Sequence, residues 1–487
     1  MPIPPLRGGQ YKVLTDDQVR QIHLATLEVM AEAGVRVEHR KALEIYRDHG
    51  CDVDFDQRIV RVPEHVLKRA LLTAPSQFTL CGKTPEWDLE VNCDNVWTIG
   101  GSSALFVYDL DRRRVTATMR HLEELTTLQD ALEHLHVMHG IVNPQDIPQP
   151  GFDRRLFATV VPRTSRNYYS QSTGAQGVYD QIELAAIIQG SHEAVRRRPI
   201  FTIVLCMISP LTHPSLRVEE LLACAELGVP IYVEVDSQPG GTTPITLAGT
   251  LVEQNANVLT GITLAQLVRP GLPCIYSIAS GMMDMQTGNY SGGAPDTTLL
   301  HAATAQVARL YQLPFQGGTG IDATVSDAQA GYERALQVLG NALAGTNFIH
   351  LSIGMVEQML TASYEQCVID NEILGAAFRI TRGIEVTRDT LAVDVLREVG
   401  PGGNFLAHDH TLSRFRQERW FPKLTNHDKW ERWEERGAKT MADRANEIAR
   451  RILAEHRPQH VSPDQQRELE RRAIAMQQQE IKNASSA

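Results

Sequence analysis

The segment PIFTIVLCMI (Pro199–Ile208) is the clearest indication of the fold, because it is ten residues long and carries a single polar side chain, Thr202. A helical pattern over Val218–Leu227 follows it, and then a second apolar run, VPIYVEV (Val229–Val235). Continuous apolar runs, rather than alternating ones, are typical of strands that are buried on both faces. The pair therefore predicts two strands of one sheet, joined by a helix.

The same alternation continues outward from this pair in both directions. The other runs are VWTIGG (Val96–Gly101), HVMHGIV (His136–Val142), NYYSQS (Asn167–Ser172), PCIYSIAS (Pro273–Ser280), PFQGGTG (Pro314–Gly320) and FIHLSI (Phe348–Ile353). Eight strand–helix units predict an α/β protein built on a closed (β/α)₈ TIM barrel. In such a barrel we expect the functional residues at the carboxyl ends of the strands.

The chain of 487 residues is longer than the roughly 250 residues of a bare barrel. We expect residues 1–90 to form an N-terminal cap or oligomer arm that begins with a helix over Leu14–Gly34. Residues 91–380 are predicted to form the barrel, and residues 381–487 a C-terminal helical region with a frayed tail. We also expect the protein to be a homo-oligomer.

Charge and composition exclude several classes of partner. The net charge is −11, and a chain without a basic stripe is not expected to bind nucleic acid. No run of about 18 apolar residues predicts a membrane helix, and the first residues lack the pattern of a signal peptide. The seven cysteines are scattered without a CxxC pair, which predicts a cytoplasmic protein without structural zinc.

The sequence also excludes several kinds of chemistry. No lysine occurs between Lys83 and Lys423, so a Schiff-base or pyridoxal-phosphate enzyme is not expected. No glycine-rich nucleotide-binding motif is present. The cluster His408–His410 has metal-ligand residue types, but its spacing is poor, and we predict no metal.

Candidate site residues lie at or just past the ends of the last predicted strands. Asp322 follows the seventh strand, and His350 stands near the end of the eighth with Glu357 after it. The loop Ser280–Asp296 is long enough to cover a substrate. Structural alternatives are an ordinary connection for this loop, a place in a pocket wall for His350, and the first turn of a helix predicted over Met355–Gly375 for Glu357, where the helix dipole favours it.

Aromatic and amide side chains complete the set of candidates. Tyr276 and Phe315 could supply the aromatic faces by which proteins bind quaternary ammonium groups, or they could simply pack in the core. Asn167 and Gln171 are polar residues in a predicted barrel strand, and such residues need partners if they are buried. We therefore expect both amides to face the pocket.

Several longer motifs resemble those of a known family. They are MDMQTGNYSGGAPD (residues 283–296), QLPFQGGTGIDATVSDAQAGYERALQVLGNALAG (residues 312–345), GPGGNFL (residues 400–406) followed by His410 and Thr411, and ERWFPKL (residues 418–424). With these motifs the chain resembles the trimethylamine/glycine betaine:corrinoid methyltransferase superfamily over nearly its whole length.

The resemblance implies a barrel that moves a methyl group from an amine to the cob(I)amide of a separate corrinoid protein. The chain itself would bind no cofactor, and the partner protein would supply the cobalamin. Members specific for trimethylamine carry pyrrolysine near the end of the seventh strand, whereas Gly317–Thr324 contains only ordinary residues. A quaternary amine such as glycine betaine, proline betaine or carnitine is therefore favoured.

Within this interpretation each candidate residue has a role. Tyr276 and Phe315 would contact the cation, Asp322 or Glu357 would compensate its charge, and His350 would face the cobalt. Arg166, Asn167 and Gln171 are candidates for holding a betaine carboxylate. Two alternatives stay open: a betaine-binding or regulatory protein without catalysis, and a metal-dependent lyase or hydrolase on the same barrel.

Overall fold

Eight parallel strands form the centre of the computed structural model, which describes residues 6–486. They are β1 (Asn95–Thr98), β2 (Val137–His139), β3 (Asn167–Ser170), β4 (Phe201–Met207), β5 (Ile231–Val235), β6 (Cys274–Ile278), β7 (Phe315–Gly318) and β8 (Phe348–His350). Each lies within one of the eight apolar runs or begins one residue before it. The strands are shorter than the apolar runs because the flanking residues of each run form the connections.

The sheet closes on itself. Consecutive strands pair in parallel from β2 to β8, and β8 pairs in parallel with β1, with Phe348 opposite Trp97. A parallel bridge between Ile99 and Val137 joins the edge of β1 to β2. The predicted (β/α)₈ barrel is therefore confirmed.

A helix follows each strand and covers the outside of the barrel. The helices are α1 (Met119–Asp130), α2 (Phe152–Val160), α3 (Ala175–Gln189), α4 (Ser215–Leu227), α5 (Leu247–Val268), α6 (Pro295–Leu310), α7 (Ala328–Ala344) and α8 (Tyr364–Thr381). The helix predicted from Met355 begins instead at Tyr364. The residues before Tyr364 form an antiparallel hairpin instead, Met355–Val356 with Thr361–Ser363, because Glu357, Gln358 and Met359 all have positive φ.

Side chains alternate between the lumen and the helical layer along each strand. One apolar cluster fills the lumen and includes Trp97, Val137, Tyr169, Val204, Tyr232, Ile275 and Phe348. The residues between them belong to the large core that lies between the sheet and the helices. This alternation decides which residues of a strand can reach a ligand in the lumen.

The N-terminal region closes the amino end of the barrel. An antiparallel hairpin, Phe78–Leu80 with Leu89–Val91, packs its apolar side chains onto the lumen cluster. The helix Asp16–Glu32 has a capping box of Thr15 and Gln18 and packs on α5. The remaining elements of this region are strands Leu6–Arg7, Val35–Val37, Asp52–Asp54 and Ile59–Arg61, helices Arg40–Asp48 and Glu64–Thr73, and the 3₁₀ turn Pro85–Trp87.

The C-terminal region is helical, as predicted. Its helices are Val393–Val399, Asp409–Glu418, Trp430–Glu435, Met441–Glu455 and Pro463–Ser486. Met441–Glu455 packs on α8, and Pro463–Ser486 packs on α2 and α3. The tail that was predicted to be frayed belongs to the last helix as far as Ser486, with Ala487 outside the described residues.

Short elements occupy some of the connections. They are strands Phe106–Tyr108, Arg114–Thr116, Thr212–His213, Met282–Met283 and Tyr290–Ser291, the 3₁₀ turn Val161–Arg163, and the helix His192–Arg197. Between residues 6 and 486 no helix is long and apolar enough to cross a membrane.

Candidate functional site

Two carboxylates mark the carboxyl end of β5. Glu234 and Asp236 are two residues apart, so both side chains point to the lumen side of the sheet. Glu234 is buried, and its Oε2 accepts hydrogen bonds from Ser277 Oγ at 2.7 Å, Gln316 Nε2 at 2.8 Å and Tyr169 Oη at 3.3 Å. The barrel therefore holds an acceptor-only group in a fixed position at its axis.

Asp236 lies one step further out and is exposed to solvent at the open end of the lumen. Its carboxylate has no hydrogen-bond or ion-pair partner among residues 6–486. Protein atoms around it and the charge of Glu234 raise the pKa of Asp236 from its ordinary value to about 7. A positive charge placed beside Asp236 would stabilise the ionised carboxylate and lower this pKa again.

Two neutral histidines continue the polar layer across the lumen. Gln316 Nε2, which also binds Glu234, lies 3.4 Å from His350 Nδ1, and His350 Nε2 lies 3.4 Å from His139 Nδ1. Because Gln316 donates to Nδ1 of His350, the network assigns the His350 proton to Nε2. Burial lowers the pKa of His139 to about 3, and burial together with His139 lowers the pKa of His350 well below its ordinary value.

Aromatic rings line the wall beside these groups. The ring of Tyr169 lies 4.9 Å from that of His139, 4.8 Å from that of His350 and 4.7 Å from that of Tyr232, measured between centroids. Cys206 Sγ lies 3.2 Å from Glu234 Oε1. Burial and the nearby carboxylates raise the pKa of the Cys206 thiol well above its ordinary value, so this thiol keeps its proton.

Several polar atoms in this layer are buried without a hydrogen-bond partner. They are His139 Nε2, Gln316 Oε1 and Tyr232 Oη. Buried polar atoms in proteins are nearly always paired with protein or water. Their grouping around one lumen is what a site for water or a polar ligand would produce.

The two aromatic residues predicted to contact a cation lie elsewhere. Tyr276 and Phe315 alternate with the lumen-facing Ile275 and Gln316, so their rings point into the helical layer, where they contact each other with centroids 6.0 Å apart. The structure does not place them where the predicted cage needs them. The aromatic side chains that do face the lumen are Tyr169 and Tyr232.

The two amides predicted to face the pocket are at opposite ends of the barrel. Asn167 faces the lumen at its closed end, where its Nδ2 donates to the carbonyl of Cys81 at 2.8 Å. Gln171 is at the open end and donates to Ser103 Oγ at 2.6 Å. Arg166 is buried near the closed end in a salt bridge of 2.9 Å with Asp130. Of the predicted carboxylate holders, only Gln171 lies at the open end.

Asp322 and Glu357 lie on the connections after β7 and β8. Asp322 accepts a hydrogen bond of 2.6 Å from Ser291 Oγ, and its Oδ1 is buried without a partner. Glu357 forms a salt bridge with Arg114, with N–O distances of 2.8 and 3.1 Å, so its charge is already compensated within the protein. Asp322 thus keeps one buried carboxylate oxygen without a partner at the rim, whereas Glu357 is not on a helix and is already paired.

The loop Ser280–Asp296, predicted to cover a substrate, folds back on itself at the rim of the open end. Its strands Met282–Met283 and Tyr290–Ser291 pair in an antiparallel hairpin, and Tyr290 Oη donates to the carbonyl of Ala279 at 3.1 Å. Burial and the charges of Asp236 and Asp322 raise the pKa of Tyr290. The hairpin therefore places Tyr290 near both carboxylates.

Sequence reasoning missed Glu234 and Asp236. The signal was present in VPIYVEVDS, where two acidic residues alternate with valine at the end of a strand that is otherwise apolar. Buried strands rarely carry carboxylates without a partner or a role. Among residues 6–486 no three histidine, cysteine or acidic side chains are grouped as a metal site.

Comparisons with known proteins were consistent over nearly the whole chain. The profile of the family "Trimethylamine methyltransferase (MTTB)" matches residues 3–482. A glycine betaine methyltransferase of Desulfitobacterium hafniense (strain Y51) is 33% identical over 457 residues, which are 93% of this chain and 95% of that protein.

Two archaeal proteins extend the comparison. The trimethylamine methyltransferase MttB of Methanosarcina thermophila is 33% identical over 469 residues, covering 94% of this chain and 96% of that protein. The monomethylamine methyltransferase MtmB of Methanosarcina barkeri has 12% sequence identity and a TM-score of 0.49, over 92% of this chain and 95% of the other. The profile match and the 33% identity over more than nine-tenths of the chain show that this protein belongs to the trimethylamine methyltransferase (MTTB) family.

Proposed function

We propose that this chain is an enzyme that transfers a methyl group from a quaternary amine to the cob(I)amide of a partner corrinoid protein. The observation that carries the proposal is the unpaired carboxylate of Asp236 at the open end of the lumen, one step beyond the buried Glu234. Membership of a methyltransferase family supports the reaction class. The glycine betaine methyltransferase among the relatives supports a methylated ammonium substrate.

The charges of the site suit a permanent cation. A quaternary ammonium group cannot lose its charge by deprotonation, so its binding requires a carboxylate or an aromatic face. Asp236 supplies the first at the mouth. Tyr169 and Tyr232 form a buried aromatic layer below it, and Ile208, which is 53% exposed, adds an apolar contact at the same end.

The protonation states of the site also suit this reaction. A quaternary amine that loses a methyl group leaves as a neutral amine, so the enzyme needs no general acid. His139 and His350 are neutral because burial lowers their pKa values, and Cys206 stays a thiol. The residues around the carboxylates therefore orient the substrate and exclude water without competing as acids or nucleophiles.

The corrinoid would approach from the open end of the barrel. The opposite end is closed by the hairpin of Phe78–Leu80 and Leu89–Val91, whereas Asp236 and Ile208 are exposed. A methyl group held beside Asp236 is therefore accessible from outside the chain. The bound corrinoid would supply the nucleophile, and the barrel would supply positioning, which by itself can accelerate a reaction by several orders of magnitude.

The proposal also places the reaction in the cytoplasm. All seven cysteines are free, and five of them are buried with raised thiol pKa values, which suits a reducing compartment.

The test is a methyl-transfer assay with purified protein, chemically reduced cobalamin and a panel of tetramethylammonium, choline, glycine betaine and carnitine. We expect methylcobalamin to appear in the absorbance spectrum with at least one compound, and at a lower rate with Asp236→Asn. A compound that binds without any transfer would favour a binding or regulatory protein. Tightly held metal that is essential for turnover would favour the lyase or hydrolase alternative.

A further inference from the structure

We propose that the site selects quaternary ammonium compounds that carry a net positive charge and have no carboxylate of their own. This inference rests on the proposed function, because it concerns the amine that the same lumen binds. It separates simple cations, such as tetramethylammonium or choline, from zwitterionic betaines.

The first observation is the charge of the connections that form the open end. Six of the eight contain no lysine, arginine or histidine: residues 140–151, 171–174, 236–246, 279–294, 319–327 and 351–363. Five of these six connections carry carboxylates, which belong to Asp146, Asp236, Asp284, Asp322, Asp327 and Glu357. The rim is therefore acidic on most of its circumference.

The second observation is that the basic residues of the other two connections are already used. Arg112 binds Asp443 at 2.6 Å and also contacts Glu365, and Arg114 is held by Glu357. Arg113 binds Asp109 and Asp111. His213 is buried against Asn257, and burial lowers its pKa to about 4, so it is neutral.

Arg217, on the first turn of α4, is near enough for its charge to act on Cys206, but it is bound by Glu220 at 2.7 Å. A substrate carboxylate would therefore meet no unpaired cation in this part of the described structure. Arg166 and Asn167 are near the closed end of the barrel, and Gln171 and His139 can offer only neutral N–H donors. Neutral donors compensate a buried anion less well than an opposite charge does. Glu234 and Asp236 would in addition repel it, whereas they attract a simple cation from a distance.

The decisive comparison uses two ligands of nearly the same shape. Glycine betaine and glycine betaine amide differ in that a carboxylate is replaced by a carboxamide, so the first is a zwitterion and the second a cation. We expect calorimetry at pH 8 to show that the amide binds about tenfold more tightly or better, because repulsion between charges a few ångströms apart is that large at protein surfaces. Tetramethylammonium and choline should bind as well.

Two variants assign the effect to the lumen. Asp236→Asn is expected to reduce the preference for the amide severalfold, since it removes one of the two repelling charges. Asp284→Asn makes the same change in a rim loop, where the carboxylate accepts hydrogen bonds from Gln286 and Thr287 within its own turn, so the preference should change far less than in Asp236→Asn. Circular dichroism and thermal melting would show that both variants fold.

The possible results separate this inference from the proposed function. If glycine betaine binds as tightly as the amide, or more tightly, the inference is wrong while a quaternary amine site stands. If neither compound, nor tetramethylammonium, binds to the folded protein, the quaternary amine site fails and the inference fails with it. An equal change of preference in Asp236→Asn and Asp284→Asn would also overturn the inference.

Discussion

At the scale of single residues, one strand end carries two unlike carboxylates. Glu234 is buried and receives hydrogen bonds from Ser277, Gln316 and Tyr169, whereas Asp236 is exposed and has no partner within residues 6–486. The first serves as a fixed charge at the axis, and the second is free to meet a ligand. The two positions are related simply by the alternation of a β-strand.

The binding of a quaternary amine should depend on pH through Asp236. Because its pKa is raised to about 7, the carboxyl group carries a proton in part of the molecules below neutrality. A permanent cation binds the ionised form, so we expect affinity to rise from about pH 6 to about pH 8 and then to level off. Calorimetric titrations with tetramethylammonium at several pH values would measure this. Asp236→Asn should give a weak, pH-independent affinity, and a wild-type profile in that variant would exclude Asp236 as the group responsible.

His350→Ala should slow methyl transfer more than it weakens substrate binding. The His350 ring connects Gln316 to His139 across the lumen and stacks on His139 with ring centroids 5.6 Å apart. Loss of the ring would leave in place the Asp236 carboxylate that binds the cation, but it would let the wall of the lumen relax. Transfer rates from corrinoid spectroscopy and affinities from calorimetry measure the two effects separately. Equal losses in both would remove this positioning role.

At the scale of elements, a buried ion pair holds the last two strand ends together. The Arg334 guanidinium on α7 donates to the carbonyls of Thr319 and Leu351, each at 2.6 Å, and binds Asp370 on α8 at 3.0 Å. The two carbonyls belong to the connections after β7 and β8. The pair therefore fixes both connections at the open end of the barrel, although it does not itself face the lumen.

Removing one partner of this pair should be costly. We expect Arg334→Met to lower the free energy of unfolding by about 3–5 kcal/mol, because it leaves a buried carboxylate and two buried carbonyls without their donor. Chemical denaturation would measure the change. The double variant Arg334→Met with Asp370→Leu should lose less than the sum of the two single variants. Strict additivity would mean that the two side chains do not stabilise each other.

The elements show what the sequence could and could not predict. The eight strands were recognisable because strands covered on both faces are continuously apolar, and each predicted run contains or overlaps one strand. The sequence did not show on which side of the sheet Tyr276 and Phe315 lie, because a continuous apolar run does not reveal which residues face the lumen. The helix expected from Met355 failed for a local reason, since three successive residues adopt positive φ in a hairpin.

At the scale of the whole molecule, part of the negative charge of the chain lies around the open end of the barrel. The net charge of −11 excluded nucleic acid as an expected partner, but it did not show where the excess acid lies. The structure gathers six carboxylates on connections at one end of the barrel, the end at which the lumen is open. A ring of one charge around a cleft concentrates ligands of the opposite charge.

The expected homo-oligomer stays a prediction at this scale. Apolar side chains are exposed along the C-terminal region, and they include Ile384, Val386, Leu406 and Leu412, each more than 60% exposed. Patches of this kind on the surface of a protein commonly mark interfaces. Light scattering during size-exclusion chromatography should give a multiple of the chain mass of 54.2 kDa. A mass of one chain at micromolar concentration would contradict the expectation.

The most direct measurement of the central claim is a crystal structure of the protein with tetramethylammonium. We expect the ammonium group to lie in the lumen beside Asp236, between Tyr169 and Ile208, with one methyl group directed out of the open end. An ammonium group bound elsewhere on the chain, or a lumen that holds only water at saturating ligand, would contradict it.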